Sequence, residues 1–324
     1  MEKIMMRRRE LLLGMAGLSV ISPALAQPPQ TELHLSLGTA TPGGSFPAFG
    51  RALIAAVQEV DPGAMIEPRI TKGSTENLAL LKAGKLDLAL VQGEYAYEAL
   101  SGLRADGGGL SVVAPIDASP GMFVVQAASP VRSVPDLRGR AVALGTRGSG
   151  FTIMGRTVLQ GSGIDPDHDI TPILLDDAAD GATQVLDGRA AALWGASLGW
   201  PGFKTLADAP DGARFFGPAP EAIPKILALR TSLRRLAVPA GSFRGQNAAI
   251  ETVGSWSFIL ARPRLGGAAV TRLVHAIDRG RDTLAQLYPQ GRESDPHNLV
   301  SNVPSAWLHP ATAAYLREIG ADPE

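Results

Sequence analysis

The sequence contains no cysteine. That excludes a disulfide framework, thiolate catalysis, cysteine-ligated metal and a lipidated N-terminal cysteine. Neither sign of charge is in excess, with 30 Lys and Arg against 31 Asp and Glu, a formal −1. Nucleic-acid binding usually leaves a basic footprint, and none is present, so no nucleic-acid partner is expected. The five histidines stand at 34, 168, 275, 297 and 309 without H-x-x-x-H or H-E-x-x-H spacing. No zinc site is indicated, and no cofactor is implied. Glycine (37) and proline (25) remain below the share, roughly 25–30%, that marks a disordered chain. With 45% hydrophobic residues in 324, the chain can bury a core for two domains or lobes.

The one long apolar run, from residue 11 to about 20, follows Arg7-Arg8-Arg9 and ends near Ala24-Leu25-Ala26. Basic start, short apolar middle and small-x-small end predict a signal peptide over residues 1–26. At about ten residues the run is short of the ~20 a membrane span needs. Arg8-Arg9-Glu10-Leu11-Leu12 also has the look of a twin-arginine export signal, so either export route is open. Its removal leaves 26 basic and 29 acidic residues, a formal −3. Export places the mature chain in the periplasm.

Residues 71–92, TKGSTENLALLKAGKLDLALVQ, organise what remains. They predict a polar turn, a short helix, a left-handed glycine at Gly84 and a buried strand. Ser74 stands where an N-cap hydroxyl is expected. Residues 87–91 are too apolar for a half-wet strand and fit a parallel strand covered on both faces. In such a sheet Ser74, Thr75 and Gln92 all fall at carboxyl ends of strands, where open α/β sheets bind small molecules.

Upstream, strand 33–37 leads into a glycine-rich loop, 38–45, and then a helix whose face is Phe49, Leu53, Ile54, Val57 and Val60. Strands are expected at 110–116 and 122–126 with Ser119-Pro120-Gly121 between them. Past a polar joint at 130–136 the pattern restarts: strand 141–144, a second glycine loop at 145–150, helix, strand, helix, and an apolar strand at 190–194. Residues 201–214 and 219–229 are expected to be helical covers, 249–261 a strand returning to the first half, and 266–287 one helix. Two similar α/β lobes, each with its own glycine loop, account for this. The predicted division is 27–126 with 250–324 as lobe I, and 127–249 as lobe II.

The loop 38–45 lacks the lysine of a P-loop, so a nucleotide is not expected. A helix N-terminus that receives an anion, or a plain tight turn, remains open there. Arg147 in the second loop is a candidate for a two-pronged carboxylate contact. Residues 195–199, GASLG, match the G-x-S-x-G elbow of serine hydrolases, with Asp208 and His275 following in hydrolase order. Trp200-Pro201-Gly202 breaks the helix that the elbow should enter. A hydrolase using Ser197 is the lesser alternative.

These stretches resemble the solute receptors of TRAP transporters, of the TAXI type. The resemblance is carried by 38–47, by Gly73-Ser74-Thr75-Glu76-Asn77-Leu78 through residues 87–92, and by Asp136-Leu137-Arg138-Gly139 into Gly148-Ser149-Gly150. His309-Pro310 with Tyr315 and Gly320 completes it. It implies a two-lobe fold of the type II periplasmic-binding-protein kind, each lobe a mostly parallel sheet with flanking helices, joined by a hinge. It also implies no enzymatic activity and capture of a small solute, an amino acid or other small carboxylate. Delivery would be to the integral-membrane permease of a TRAP transporter. A receptor feeding an ATP-driven importer would share the fold. By motif, the implied ligand shell is Thr39, Ser45, Phe46, Ser74, Thr75, Gln92, Ser149, Gly199 and Trp200, with Arg147 added from the residues themselves. The sequence departs from that family at Ser45-Phe46, where an aromatic pair is usual, and at Arg147, where proline is more common.

Overall fold

A computed structural model describes residues 32–103 and 108–321, so the expected signal peptide lies outside the described residues. Strand β1 (Leu33–Gly38), helix α1 (Ser45–Val60), β2 (Ala64–Arg69), α2 (Ser74–Lys82) and β3 (Leu88–Val91) form the first run, followed by α3 (Gly93–Leu100). The long β4 (Ser111–Gln126) leads to a second run: β5 (Ala141–Thr146), α4 (Gly150–Gly161), β6 (Thr171–Leu175), α5 (Asp180–Leu186) and β7 (Ala192–Ala196). Then come α6 (Pro201–Ala207), β8 (Ala213–Phe216), α7 (Ile223–Leu229), β9 (Arg234–Val238) and β10 (Ile250–Ala261). The chain closes with α8 (Gly267–Arg279), α9 (Arg281–Leu287), α10 (His297–Asn302) and α11 (Pro310–Glu318).

The strands lie in the order β2, β1, β3, β10, β4, β7, β5, β6, with β8 beside β4 and β9 beside β10. Both β2 and β3 run parallel to β1, and both β6 and β7 run parallel to β5. The two βαβαβ runs therefore repeat one arrangement, second strand, first strand, third strand. In each, the crevice at the carboxyl ends opens between first and third strands, where the winding reverses.

Between these halves run β4 and β10, antiparallel to each other. Residues 111–120 of β4 pair with β10, and residues 121–126 pair with β7 and β8. In β10 the first residues pair with β9 and the last with β3. Each crossing strand thus belongs to both halves.

Buried side chains form four clusters, two on each half of the sheet. On the first half, Phe49, Leu53 and Val57 of α1 meet Val270, Leu273 and Ile277 of α8 over the β1–β3–β10 face. Leu78 and Leu81 of α2 pack on the opposite face with Ala89, Val91 and Leu260. On the second half, α4 and α7 cover one side through Met154, Val158 and Ile226, and α5 and α6 the other through Val185 and Phe203.

Three expectations change, and one strand is added. Residues 119–121 are not a turn: β4 runs straight through them, because Ser119 and Pro120 pair with β10 and Gly121 with β7. The helix over 201–214 stops at Ala207, and residues 213–216 become a strand on β4. Strand β9 had no expectation; its exposed arginines hide the alternation. The helix over 266–287 breaks at Gly280, where a Cβ would stand 2.7 Å from the Ala56 carbonyl oxygen of α1. Only glycine lets the two helices approach so closely.

Candidate functional site

Residues from both halves enclose a cavity of about 50 Å³ at the two crevices. That is room for a few waters or one small solute. Its wall is built from the N-termini of helices. Gly44, Ser45 and Phe46 open α1; Gly73 and Ser74 open α2; Gln92 precedes α3; Ser149, Gly150 and Phe151 open α4; and Trp200 precedes α6. The first-turn N–H groups of a helix lack intrahelical acceptors, and the dipole makes that end positive. Several such ends converging on one space favour an anion there. Among the described residues, no Asp or Glu lines the cavity, whereas Lys72 does.

Local chemistry fixes these turns. Ser149 is a true N-cap, its Oγ accepting from the Phe151 N–H at 3.3 Å. Ser74 is not the cap expected of it. Gly73, at φ +101°, takes the cap position, and Ser74 Oγ instead accepts the Gln92 N–H at 3.0 Å. The hydroxyl thereby joins the start of α2 to the end of β3. Asn77, fully buried, strengthens the same joint by donating to the Thr39 and Leu90 carbonyls, each at 2.8 Å.

Contacts across the crevice hold the halves together. Trp200 Nε1 donates to the Gly43 carbonyl at 3.0 Å, and Thr75 Oγ1 to the Gly148 carbonyl at 3.0 Å. Gly43, at φ +74°, lies so near Ala179 that a Cβ would be 2.5 Å from its backbone nitrogen. Phe46 and Phe151 face each other with ring centroids 6.3 Å apart. Phe46, Phe151, Trp194 and Trp200 make the apolar wall.

Of the residues singled out in the sequence, Ser45, Phe46, Ser74, Gln92, Ser149 and Trp200 line the cavity. Thr39, Thr75, Arg147 and Gly199 do not. Thr39 is buried and donates to the Arg69 carbonyl at 3.0 Å, tying β1 to β2. Thr75 bridges the halves at the rim. Arg147 is exposed. Gly199 packs on the Tyr288 ring. The cation at the cavity is Lys72, whose signal in the sequence was its place just before Gly73-Ser74. Thr41, Thr146, Phe151 and Ala178 also line the cavity and were not singled out.

Residues 37–320 match the NMT1-like family. The chain belongs to that family. This NMT1-like protein is also similar to solved structures at low identity. One, from Bordetella bronchiseptica RB50, is 16% identical with TM-score 0.52, over 89% of this chain and 81% of that one. A putative L-cystine ABC transporter from Listeria monocytogenes is 14% identical with TM-score 0.51, over 81% of this chain and 98% of that one. A variant OxyR2 regulatory domain from Vibrio vulnificus is 14% identical with TM-score 0.50, over 82% and 99%. The shared fold is the type II periplasmic-binding-protein fold, α/β with a mixed sheet and flanking helices. A fold hosts many roles, so function must be argued from the site.

A second polar cluster in the NMT1-like protein lies beside the crossing strands. Asp117 of β4 is buried and accepts from Ser197 Oγ at 2.7 Å and Tyr288 OH at 3.4 Å, while Ser119 Oγ reaches its other oxygen at 3.3 Å. Burial pushes the Asp117 carboxyl up to about 7, against the Ser197 hydrogen bond and with help from the nearby Glu293 charge. Ser197 has φ +71° but is buried, and its hydroxyl partners are Asp117 and Tyr288. Asp208 pairs with Lys204 and is exposed; the His275 ring packs against Tyr315. The three residues of the hydrolase alternative thus each have other partners. Among the described residues, no group of three or more His, Asp and Glu could hold a metal ion, and no helix is long and apolar enough to cross a membrane.

Proposed function

We propose that this chain is an extracytoplasmic solute receptor that closes around a small carboxylate-bearing solute and delivers it to a membrane permease. The observation that carries this reading is the convergence of helix N-termini from both halves on one cavity that Lys72 borders and no carboxylate lines. A bound carboxylate would accept from first-turn N–H groups of α1 and α4 and from the hydroxyls of Ser45, Ser74 and Ser149, with Lys72 adding charge at the edge. The aromatic wall would hold the rest of the solute. In this reading β4 and β10 act as the hinge, since bending two crossing strands separates the halves without unpairing either. The first half is then residues 27–126 with 250–324, and the second 127–249, the stretches of β4 and β10 that pair with β7, β8 and β9 being shared between the two. Nothing in the site calls for chemistry on the solute.

The permease is, in this reading, of the TRAP type, and the receptor TAXI-type; the resemblance of 73–78 and 87–92 to that group supports it. An ATP-driven importer is the competing partner. Export by residues 1–26 would deliver the receptor to the periplasm. The solute test is differential scanning calorimetry of the mature protein against a panel of small carboxylates and amino acids. Binding at a hundred times Kd should stabilise by about 2.7 kcal/mol. If no carboxylate in the panel raises the melting temperature, the reading fails. Capture of the membrane partner on immobilised receptor, identified by mass spectrometry, decides between the two permease types.

A further inference from the structure

Behind Gln92 lies a second cavity, of about 90 Å³ against about 50 Å³ for the first. A hydrogen bond joins their walls: Gln92 lines the first, Ser255 lines the second, and Gln92 Nε2 donates to Ser255 Oγ at 2.7 Å. The two spaces therefore have different walls and different chemistry.

Four aromatic residues line the second cavity: Tyr97 of α3, Trp256 and Phe258 of β10, and Trp307. Tyr97 and Trp307 meet edge to face, with centroids 5.3 Å apart and planes at 77°, leaving ring faces for a planar guest. Arg234 stands at the same cavity with its guanidinium fixed, Nη1 donating to the Thr231 and Leu233 carbonyls at 2.6 and 2.9 Å. The remaining N–H groups of that planar fork match a carboxylate. Ser232 also lines the cavity; it is only 8% exposed, and its Oγ is buried without a hydrogen-bond partner. Buried hydroxyls in native interiors almost always have one, so this atom calls for a partner from outside the chain. Among the described residues, no Asp or Glu lines the space. Aromatic walls alone would suit a cation equally well, but Arg234 repels one.

We propose that this cavity is a second ligand site, taking a small aromatic carboxylate whose ring lies among Tyr97, Trp256 and Trp307 and whose carboxylate meets Arg234 and Ser232. The site does not depend on the solute-receptor reading of the first cavity.

The probe is benzoate, with benzyl alcohol as the ring without charge and acetate as the charge without a ring. Each is titrated into the full mature chain, followed by tryptophan fluorescence and by calorimetry. Benzoate should saturate, and the two controls should bind at least about tenfold more weakly, the discrimination expected of a charged hydrogen bond. Arg234→Ala should weaken benzoate by about the same factor, and Ser232→Ala by less. Trp200→Phe, in the first cavity, should leave benzoate binding intact. Circular dichroism melts establish that each variant folds, and Arg234→Gln replaces Arg234→Ala if that one does not. The proposal is overturned if benzoate never saturates, if binding is indifferent to Arg234 and Ser232, or if Trp200→Phe abolishes it, which would place benzoate in the first cavity.

Discussion

The buried acids make the first sharp claim at the scale of single residues. Asp117 and Glu94 are both buried acids, and burial raises them to about 7 and about 8 respectively. Hydrogen bonds from Ser197 oppose the shift at Asp117, and the Arg230 charge opposes it at Glu94. Both Glu94 oxygens lack a hydrogen-bond partner. An acid whose folded pKa is raised keeps its proton when the unfolded chain has lost it. Between about pH 4 and pH 7 the folded state therefore binds more protons, and stability falls as pH rises. Asp117→Asn cannot ionise yet still accepts from Ser197. Relative to the parent, it should be near neutral at about pH 4 and more stable by roughly 2–4 kcal/mol at about pH 8. Urea titrations at the two pH values measure this; an identical difference at both would refute the assignment of the proton. The residual decline in the variant belongs to Glu94 and Glu293, both raised by burial.

Gly43 makes the second claim. Its φ of +74° is a strain any side chain would feel in every state, worth about 1 kcal/mol, and under the proposed opening of the halves the collision with Ala179 would arise only on closure. Gly43→Ala should therefore lower the melting temperature slightly and weaken solute affinity by more than about tenfold. A variant that binds normally would show that the two loops do not touch in the working state. Thr75→Val probes the same closure more gently. It deletes a cross-crevice donor without changing shape, so affinity should fall by about fivefold while ligand-free stability stays put.

At the scale of elements, the short joints matter more than the helices they join. Asn77 holds the end of β1 to the end of β3 by donating its amide to two carbonyls, with no exposed surface of its own. Gly280 does similar work between α8 and α9 by letting the bend touch α1. Gly280→Ala would set a methyl group 2.7 Å from the Ala56 oxygen and 2.9 Å from the Ala276 oxygen. Backbone atoms cannot swing aside, so a loss of about 1–3 kcal/mol is expected. Denaturant midpoints check it, and an unchanged midpoint would mean that α8 and α9 separate from α1 easily. The break at 280 escaped periodicity because the apolar spacing of Ile277, Leu284 and Leu287 continues through it, whereas the one at 207 was missed although Pro210-Asp211-Gly212 marks a turn just beyond it. What ends α6 is the pairing of β8 with β4, and what bends α8 is a neighbour distant in sequence.

On the scale of the molecule, the twin βαβαβ runs were readable in advance, because each repeats glycine loop, helix, glycine and apolar strand within one stretch of chain. Small-angle scattering with and without a solute found by calorimetry should show a decrease in radius of gyration if β4 and β10 flex as proposed. An unchanged profile would leave a rigid cavity in place of a closing receptor.

Local pattern sufficed for strands β1, β3, β5 and β7 and for the glycines that turn them into helices, since these are set by neighbours within a few residues; of the side chains that line the cavity it placed Ser74 and Gln92, while Ser45, Phe46, Ser149 and Trp200 came from the family resemblance. It misplaced Arg147, which carries the right charge on an exposed turn, and passed over Lys72, which stands at the cavity only because α2 and α4 face each other. Nor did it foresee β4 as one unbroken strand, the Asp117–Ser197–Tyr288 cluster or the second cavity. Each of those joins residues far apart in sequence, 75 positions for Gly121 and Ala196, 80 for Asp117 and Ser197 and 163 for Gln92 and Ser255, and no short-range preference of a chain can report which distant partner its backbone and side chains will meet.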